Sequence, residues 1–326
     1  MRNKAAVMGL PWMLVQMSLI MRLITSVLVV AATSVAKPGC PDKCGDVEVP
    51  YPFGLNEGCS LNEKFLITCN KKQKVAKLNE ITVKSISIED HEMRVLQYVA
   101  RDCYDQTGNQ VKDDTISVLH AATWTISNTK NKFIVVGCDT FASFNGFQNG
   151  ERESFSGCMP MCRSLGNIVN GSCSGTGCCE IAIPFGLNNM WLDVGSFHNH
   201  TSVWVFNPCG FAFIVEQSQF NFSSNYLTNI PDKTLPVVLD WSIENETCEE
   251  AAKNKTKFAC KGKSECHDLP TMSGFQCKCK PGYRGNPYLH DSCQGITPYM
   301  YIYVLILLMI IVTMGFLTYY HLICRH

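Results

Sequence analysis

Between Lys37 and Pro298 the apolar residues recur mostly at period two, in short runs: Val47 to Val49, Ile81-Thr82-Val83, Ser85 to Ile88, Val95 to Val99, Thr123 to Ile126, Phe133 to Val136 and Val203 to Phe206. Clusters of Gly, Asn, Asp and Pro separate them. Successive side chains of a strand point to opposite faces, so runs of this length and period predict half-buried strands. No long stretch in this region keeps a helical period. The fold expected is mostly β, in small modules.

The two ends of the chain break that pattern. Arg2 and Lys4 precede two apolar stretches, Ala5 to Met21 and Leu23 to Ala32, and Ser34-Val35-Ala36 then offers the small residues that a signal peptidase reads. Residues 1–36 are therefore expected to be a signal peptide, with an uncleaved anchor as the rival reading. Tyr299 to Tyr320 is an uncharged apolar run, long enough at ~1.5 Å per residue to cross ~30 Å of hydrocarbon. Tyrosines stand at both of its ends, where amphipathic rings favour the membrane interfaces. The run predicts a transmembrane helix over 299–320, with 321–326 as a cytoplasmic tail and Arg325 as that tail's one full positive charge. This is a single-pass type I topology. A cleaved lipid anchor attached near Ser292 or Gly295 competes for the same residues, but the polar spacer such a signal needs is missing.

Composition places the middle of the chain in an oxidising compartment. Of nineteen cysteines in 326 residues, all but Cys324 lie between the hydrophobic ends. That even set predicts up to nine disulfides, each worth ~2–4 kcal/mol by restricting the unfolded chain. The adjacent Cys178-Cys179 and the close pairs Cys40/Cys44 and Cys158/Cys162 are read as disulfide cysteines, because zinc or redox thiolates would first have to survive export. Five glycosylation sequons, at Asn170, Asn199, Asn221, Asn245 and Asn254, agree with that route. The formal net charge is zero, which leaves no global field for nucleic acid, and no nucleic-acid partner is expected. The chain has neither a Gly-x-Ser-x-Gly elbow nor a His-Glu-x-x-His motif, and its histidines are scattered. No catalytic residue, cofactor or metal is expected.

Cysteine spacing changes after Pro236-Val237-Val238-Leu239-Asp240-Trp241, the clearest boundary in the sequence. Cys248, Cys260, Cys266, Cys277, Cys279 and Cys293, followed after the fifth by Pro281-Gly282-Tyr283-Arg284-Gly285, resemble an epidermal-growth-factor-like domain over 244–294. So short a module cannot bury enough core alone, and covalent links substitute for it. The resemblance implies the pairs Cys248–Cys266, Cys260–Cys277 and Cys279–Cys293. Ile243 to Thr247 does not reproduce the acidic motif of calcium-binding members, and Asp268 is offset from their pattern. The module is expected to be a structural spacer.

Further resemblances lie upstream. Cys40-Pro41-Asp42-Lys43-Cys44-Gly45-Asp46-Val47, then Val49-Pro50-Tyr51-Pro52-Phe53-Gly54-Leu55, Gly58-Cys59 and Phe65-Leu66-Ile67-Thr68-Cys69 resemble the galacturonan-binding domain of plant wall-associated receptor kinases, here over 37–101. Val136-Gly137-Cys138-Asp139-Thr140, Gly157-Cys158 and Gly171 to Cys179 are similar to the second extracellular region of those receptors, over 102–240. The expected fold is thus two cysteine-rich β domains, a growth-factor-like module and one transmembrane helix. The resemblance implies a plasma-membrane protein whose outer part faces the cell wall and binds pectin or an oligogalacturonide. The family continues into a kinase, whereas this sequence ends six residues after Tyr320, so the expectation is a kinase-less receptor-like protein or a shortened product. The alternative is a co-receptor or decoy that binds protein partners, full-length receptor kinases among them.

A polymer of galacturonate calls for several cations along one surface, since one exposed pair contributes only ~0–1 kcal/mol. Lys71, Lys72, Lys74 and Lys77 form the densest cluster and are the candidate ligand-binding residues, with Lys64, Lys84, Arg94 and Arg101 elsewhere in the same region. The aromatics Tyr51, Phe53, Trp124, Trp191 and Trp204 are expected in the core rather than stacked on sugar.

Overall fold

The structure, a computed structural model, describes residues 35–70, 72–121, 124–148, 150–243, 246–269 and 274–295, with helical residues 304, 306–311, 313 and 315 beyond them. Most of the expected signal peptide, most of the 299–320 run and the 321–326 tail lie outside the described residues, as do Lys71 and Asn245. Among the described residues no helix is long and apolar enough to cross a membrane.

Three antiparallel sheets carry the fold. The six-stranded sheet runs in the order β10 (Thr125–Ile126), β17 (Thr234–Asp240), β6 (Glu92–Tyr98), β5 (Ile81–Ser87), β4 (Val75–Leu78) and β3 (Thr68–Asn70). The five-stranded sheet is β14 (Cys178–Ala182), β11 (Asn131–Val136), β16 (Cys209–Glu216), β7 (Ala100–Tyr104) and β8 (Gln110–Asp114). The four-stranded sheet is β13 (Glu151–Cys158), β12 (Thr140–Gln148), β15 (Asn189–Ser196) and β9 (Ile116–His120). A small hairpin of β1 (Lys43–Cys44) and β2 (Val47–Glu48) precedes them.

Of Pro236 to Trp241, which reads in the sequence as a boundary, Pro236 to Asp240 lie in β17, the second strand of the six-stranded sheet, between the short β10 and β6. Leu235 to Leu239 are all buried, and β17 pairs with β6 from Thr234↔Tyr98 to Asp240↔Glu92. A strand covered on both faces reads as a continuous apolar run rather than an alternating one. Pro236 fits because β10 pairs only with Leu239 and Asp240, so the ladder on that side does not reach the proline, which has no N–H to donate. Strands from both sides of residue 101 pair across it, and the segments 37–101 and 102–240 do not form separate sheets.

Three of the expected runs change. Ile81 to Val83 and Ser85 to Ile88 merge into β5, with a register shift between Val83 and Ser85 against β6. Val203 to Phe206, expected as a strand, is a turn: the His200 carbonyl accepts from the Val203 N–H at 3.0 Å, and the Val203 carbonyl accepts from the Phe206 and Asn207 N–H groups at 3.0 and 2.8 Å. Local bonds satisfy this backbone, so Val203 is buried while Val205 stands 89% exposed.

The main core is aromatic. The Phe53 ring meets Phe65, Trp124 and Trp241 edge-on at 5.1, 5.5 and 5.2 Å between centroids, an arrangement the ring quadrupoles favour. Nine disulfides surround it: Cys40–Cys59, Cys44–Cys69, Cys103–Cys209, Cys138–Cys162, Cys158–Cys179, Cys173–Cys178, Cys248–Cys266, Cys260–Cys277 and Cys279–Cys293. Cys103 and Cys209 face each other on β7 and β16 and close a sequence separation of 106, the longest of the set.

Arg94 ties the six- and five-stranded sheets together. Its Nε donates to both carboxylate oxygens of Glu216 at 3.1 and 3.0 Å, and its Nη2 donates to Glu216 Oε1 at 2.7 Å and Glu92 Oε2 at 3.4 Å. Lys130 reaches Glu92 Oε1 at 3.1 Å. Both carboxylates are buried.

The growth-factor-like module contains helix α1 (Cys248–Ala252), the hairpin of β18 (Ser264–Asp268) and β19 (Phe275–Cys279), and the pair β20 (Tyr283–Arg284) and β21 (Gln294–Gly295). A capping box between Thr247 and Glu250 starts α1, and Asp268 Oδ1 accepts from the Cys248 N–H at 2.6 Å. The module packs into the core rather than hanging as a spacer. Phe275 bridges to Ile243, Gln276 Nε2 donates to the Trp241 carbonyl at 3.1 Å, and Asn286 Nδ2 donates to the carbonyls of Tyr51 and Val35 at 2.5 and 3.1 Å. The Tyr288 hydroxyl accepts from the Cys277 N–H at 3.1 Å and lies 3.0 Å from His91 Nε2, whose ring rests on Trp241.

Arg94→Ala leaves two buried carboxylates facing each other and is expected to cost about 3–5 kcal/mol in urea unfolding, while Arg94→Met combined with Glu216→Leu recovers most of that deficit. Burial, helped by the Lys278 charge, pushes His91 down to about 4 from its ordinary 6.5. The unfolded chain binds that proton first, so the stability from a neutral His91 is complete above the unfolded value. It is lost as pH falls from about 6.5 toward 4, by about 3 kcal/mol. Titrating unfolding free energy across that window should show the slope, and His91→Gln should flatten it; an unchanged slope would assign it to other groups.

Candidate functional site

The lysine cluster occupies one hairpin tip. Thr68 pairs with Lys77 and Asn70 with Val75, so β3 and β4 run straight into a tight turn that contains 72–74. Asn70 builds the turn: its Oδ1 accepts from the Lys72 and Gln73 N–H groups at 3.1 and 3.2 Å, and its carbonyl accepts from the Lys74 N–H at 2.6 Å. Asparagine does this well because its short side chain imitates a backbone turn. Lys74 closes the turn with φ at 54°.

A second turn braces the first. Gly45, with φ at 61°, sits so close that an added Cβ would stand 2.3 Å from the Lys74 carbonyl oxygen, so only glycine fits between β1 and β2. The Cys44–Cys69 bridge fastens the two hairpins just behind this contact. The loop that carries the lysines is therefore anchored from below.

The tip leaves Lys72 and Lys74 exposed, and neither ammonium has an ion-pair partner among the described residues. Lys77 differs. It is half-buried on β4 and lies 3.5 Å from Glu80, while on the neighbouring hairpin Lys43 pairs with Glu48 at 3.1 Å. Such exposed pairs are worth little and yield readily to a competing anion. Lys64 and Lys84 are exposed on other elements.

Neither arginine of the region is available to a ligand. Arg94 is held between Glu216 and Glu92. Arg101 is buried over the Phe211 ring at 5.5 Å and donates to the Asp232 carbonyl and to Asn229 Oδ1. Spacing along the sequence cannot separate such structural cations from surface ones; their main carboxylate and carbonyl partners lie more than a hundred residues away.

Phe53 and Trp124 lie in the core, and Trp204 donates its Nε1–H to the Tyr104 carbonyl at 2.8 Å. Tyr51 is partly buried, and burial raises its hydroxyl above the ordinary value. Trp191 departs from expectation, standing 42% exposed on β15. The sequon residues Asn170, Asn199, Asn221 and Asn254 are all exposed. A cleft of about 730 Å³ beside α1 includes Asn254, and another of about 560 Å³ is lined by Tyr98, Arg101, Ile116 and Lys233.

These features define a class first: a disulfide-rich β protein with a docked cysteine module, which holds a basic loop out from a rigid base. Comparison with known proteins then gives the family. Residues 40–97 match the family described as wall-associated receptor kinase galacturonan-binding. Wall-associated receptor kinase 2 of Arabidopsis thaliana is 39% identical over 263 residues, covering 79% of this chain and 34% of that protein. Wall-associated receptor kinases 3 and 1 of the same plant are 35% identical over 273 residues and 34% over 268, covering 79% and 80% of this chain and 36% and 35% of theirs. The chain spans about a third of the length of these curated relatives. No solved structure matches it significantly. In the part they share, the chain belongs to the wall-associated receptor kinase family.

Proposed function

We propose that the chain is the wall-facing part of a membrane-anchored receptor-like protein, which binds de-esterified pectin or its oligogalacturonide fragments through the 40–97 region. The observation behind this reading is the family match over those residues, together with the two exposed lysines, unpaired among the described residues, on the disulfide-braced tip within them. A galacturonan carries a carboxylate on every sugar. An ammonium at each of Lys72 and Lys74, joined by Lys77 on β4 and by Lys71, next to Lys72 in the sequence, meets successive carboxylates of one strand. Each contact is weak and screened beyond about 8–10 Å, so affinity comes from several contacts made together on a preformed loop. The four exposed sequon asparagines lie on other loops. The apolar 299–320 run supplies the anchor, and neighbouring receptor kinases are the natural lateral partners in that membrane.

The full-length chain should be retained on immobilised de-esterified pectin, with retention falling as salt rises. Lys72→Gln, Lys74→Gln and Lys77→Gln together should weaken it roughly ten-fold, about 0.5 kcal/mol for each ammonium removed. Retention that ignores salt would overturn the electrostatic mechanism, and absence of retention would overturn the reading itself.

A further inference from the structure

One cleft carries a candidate ligand on its own wall. The cleft of about 730 Å³ lies where the growth-factor-like module meets the upstream chain, and its volume is ordinary for a site that takes a small organic ligand. Its floor is apolar. Ile243 and Phe275 lie there, joined by two backbone hydrogen bonds of 2.9 and 3.1 Å, and Ala251 of α1 is buried beside them. The half-buried Phe258 stacks its ring on Phe275 at 6.0 Å between centroids. Leu61 reaches the same cleft from the N-terminal region, so distant segments of the chain meet at this wall.

Asn254 lines this cleft and opens the sequon Asn254-Lys255-Thr256. A local turn holds its side chain. Oδ1 accepts from the Thr256 hydroxyl at 2.8 Å and from the Lys257 N–H at 3.3 Å, while the Asn254 carbonyl accepts from the Lys257 and Phe258 N–H groups at 3.1 and 2.9 Å. The turn thus uses the amide oxygen and leaves Nδ2, the atom that carries an N-linked glycan, with no hydrogen-bond partner among the described residues. The other described sequons differ. Asn170, Asn199 and Asn221 line neither cleft, and Asn199 Nδ2 already donates to the Gly108 carbonyl at 3.0 Å.

We propose that the glycan on Asn254 is the ligand of this cleft: its first sugar folds back onto the apolar floor and fastens the growth-factor-like module to the main core. An N-linked glycan begins with N-acetylglucosamine, whose chemistry matches such a floor. The sugar's ring face presents C–H groups that carry partial positive charge and are drawn to the negative face of an aromatic ring, here Phe258, and its acetyl methyl is apolar. Its hydroxyls meet the polar rim, where Glu246 and Lys257 stand exposed. Tethering decides the occupant. A sugar attached at the wall faces the cleft at an effective concentration on the order of millimolar, so it fills the site ahead of a free ligand of equal affinity. The inference requires export through a compartment that attaches glycans, and it is independent of what the lysine tip binds.

The test uses the full-length chain, expressed in cells that attach oligomannose glycans and purified in detergent. Mass spectrometry of its glycopeptides should find Asn254 occupied. Asn254→Asp removes the sequon but keeps an acceptor for the Thr256 hydroxyl and the Lys257 N–H, so the turn survives without the sugar. Hydrogen exchange at the Phe258 and Phe275 amides should then run about ten-fold faster than in the parent. Thr256→Ser, which keeps the sequon, should exchange like the parent, and so should parent trimmed by an endoglycosidase to its first sugar. The sequon at Asn245 is intact in every variant, so its glycan cancels in each comparison. Phe258→Leu keeps the bulk but not the ring, and Leu61→Ala opens the far wall; each should shrink the difference that the glycan makes. An unoccupied Asn254, or equal exchange in parent and Asn254→Asp, would overturn the proposal. A difference that persists undiminished in both Phe258→Leu and Leu61→Ala would also overturn it, by placing the effect in the turn alone. Pectin retention should be the same for parent and Asn254→Asp, so failure here leaves the reading of the lysine tip standing.

Discussion

The pairing of Thr234–Asp240 with Glu92–Tyr98 is the interaction on which the rest of the structure depends. It brings the end of a long excursion back beside one of the first strands of the fold, and it delivers Trp241 to Phe53. Loop closure over such a separation costs entropy, and only extensive burial offsets it. The offset is visible in the run of buried residues from Leu235 to Leu239 and in the edge-on rings of Phe53, Phe65, Trp124 and Trp241. Without that return the six-stranded sheet would lose β17 and the short β10 that pairs with it, and the growth-factor-like module would lose the surface it packs on.

Disulfides and core divide the work of stabilisation by location. The bridges crowd where the chain is irregular, at the N-terminal turns, the 158–179 loops and the last module. There the apolar area is too small to order the backbone by itself. The strands of the main core carry few cysteines, and Cys103–Cys209 adds a covalent clamp where β7 meets β16. The last module draws on both devices, with three bridges inside it and Phe275, Cys277 and Tyr288 joined to the main core.

Function on this scaffold is a matter of which side chains the packing leaves over. The interior takes both arginines near the N-terminal region, Arg94 to neutralise buried carboxylates between two sheets and Arg101 to lie over Phe211. The lysines remain outside, on a turn that Asn70 shapes and Gly45 braces. The same sorting leaves Trp191 and Phe155 on the outer side of a sheet whose inner side is already filled. A loop held in shape beforehand loses less entropy when a ligand engages it.

The sequence by itself determined the covalent character, the β class and the loop that carries the lysines. Each of those rests on local composition or on spacing within a few dozen residues: even cysteines, period-two runs, and a polar segment between Thr68 and Leu78 that cannot bury itself. Tertiary structure decided everything that depends on residues distant in the chain. Val203 to Phe206 has the composition of a strand and folds as a turn, because the carbonyls of His200 and Val203 take its N–H groups before any strand can. Pro236 to Trp241 looks like a linker by its position, yet Pro236 to Asp240 form most of strand β17, because β6 pairs with them. Arg94, Trp191 and Val118 are indistinguishable in sequence from their surface or core counterparts. Only the register of the sheets, a long-range property with no local signal, sets which partner each one meets and which face it shows.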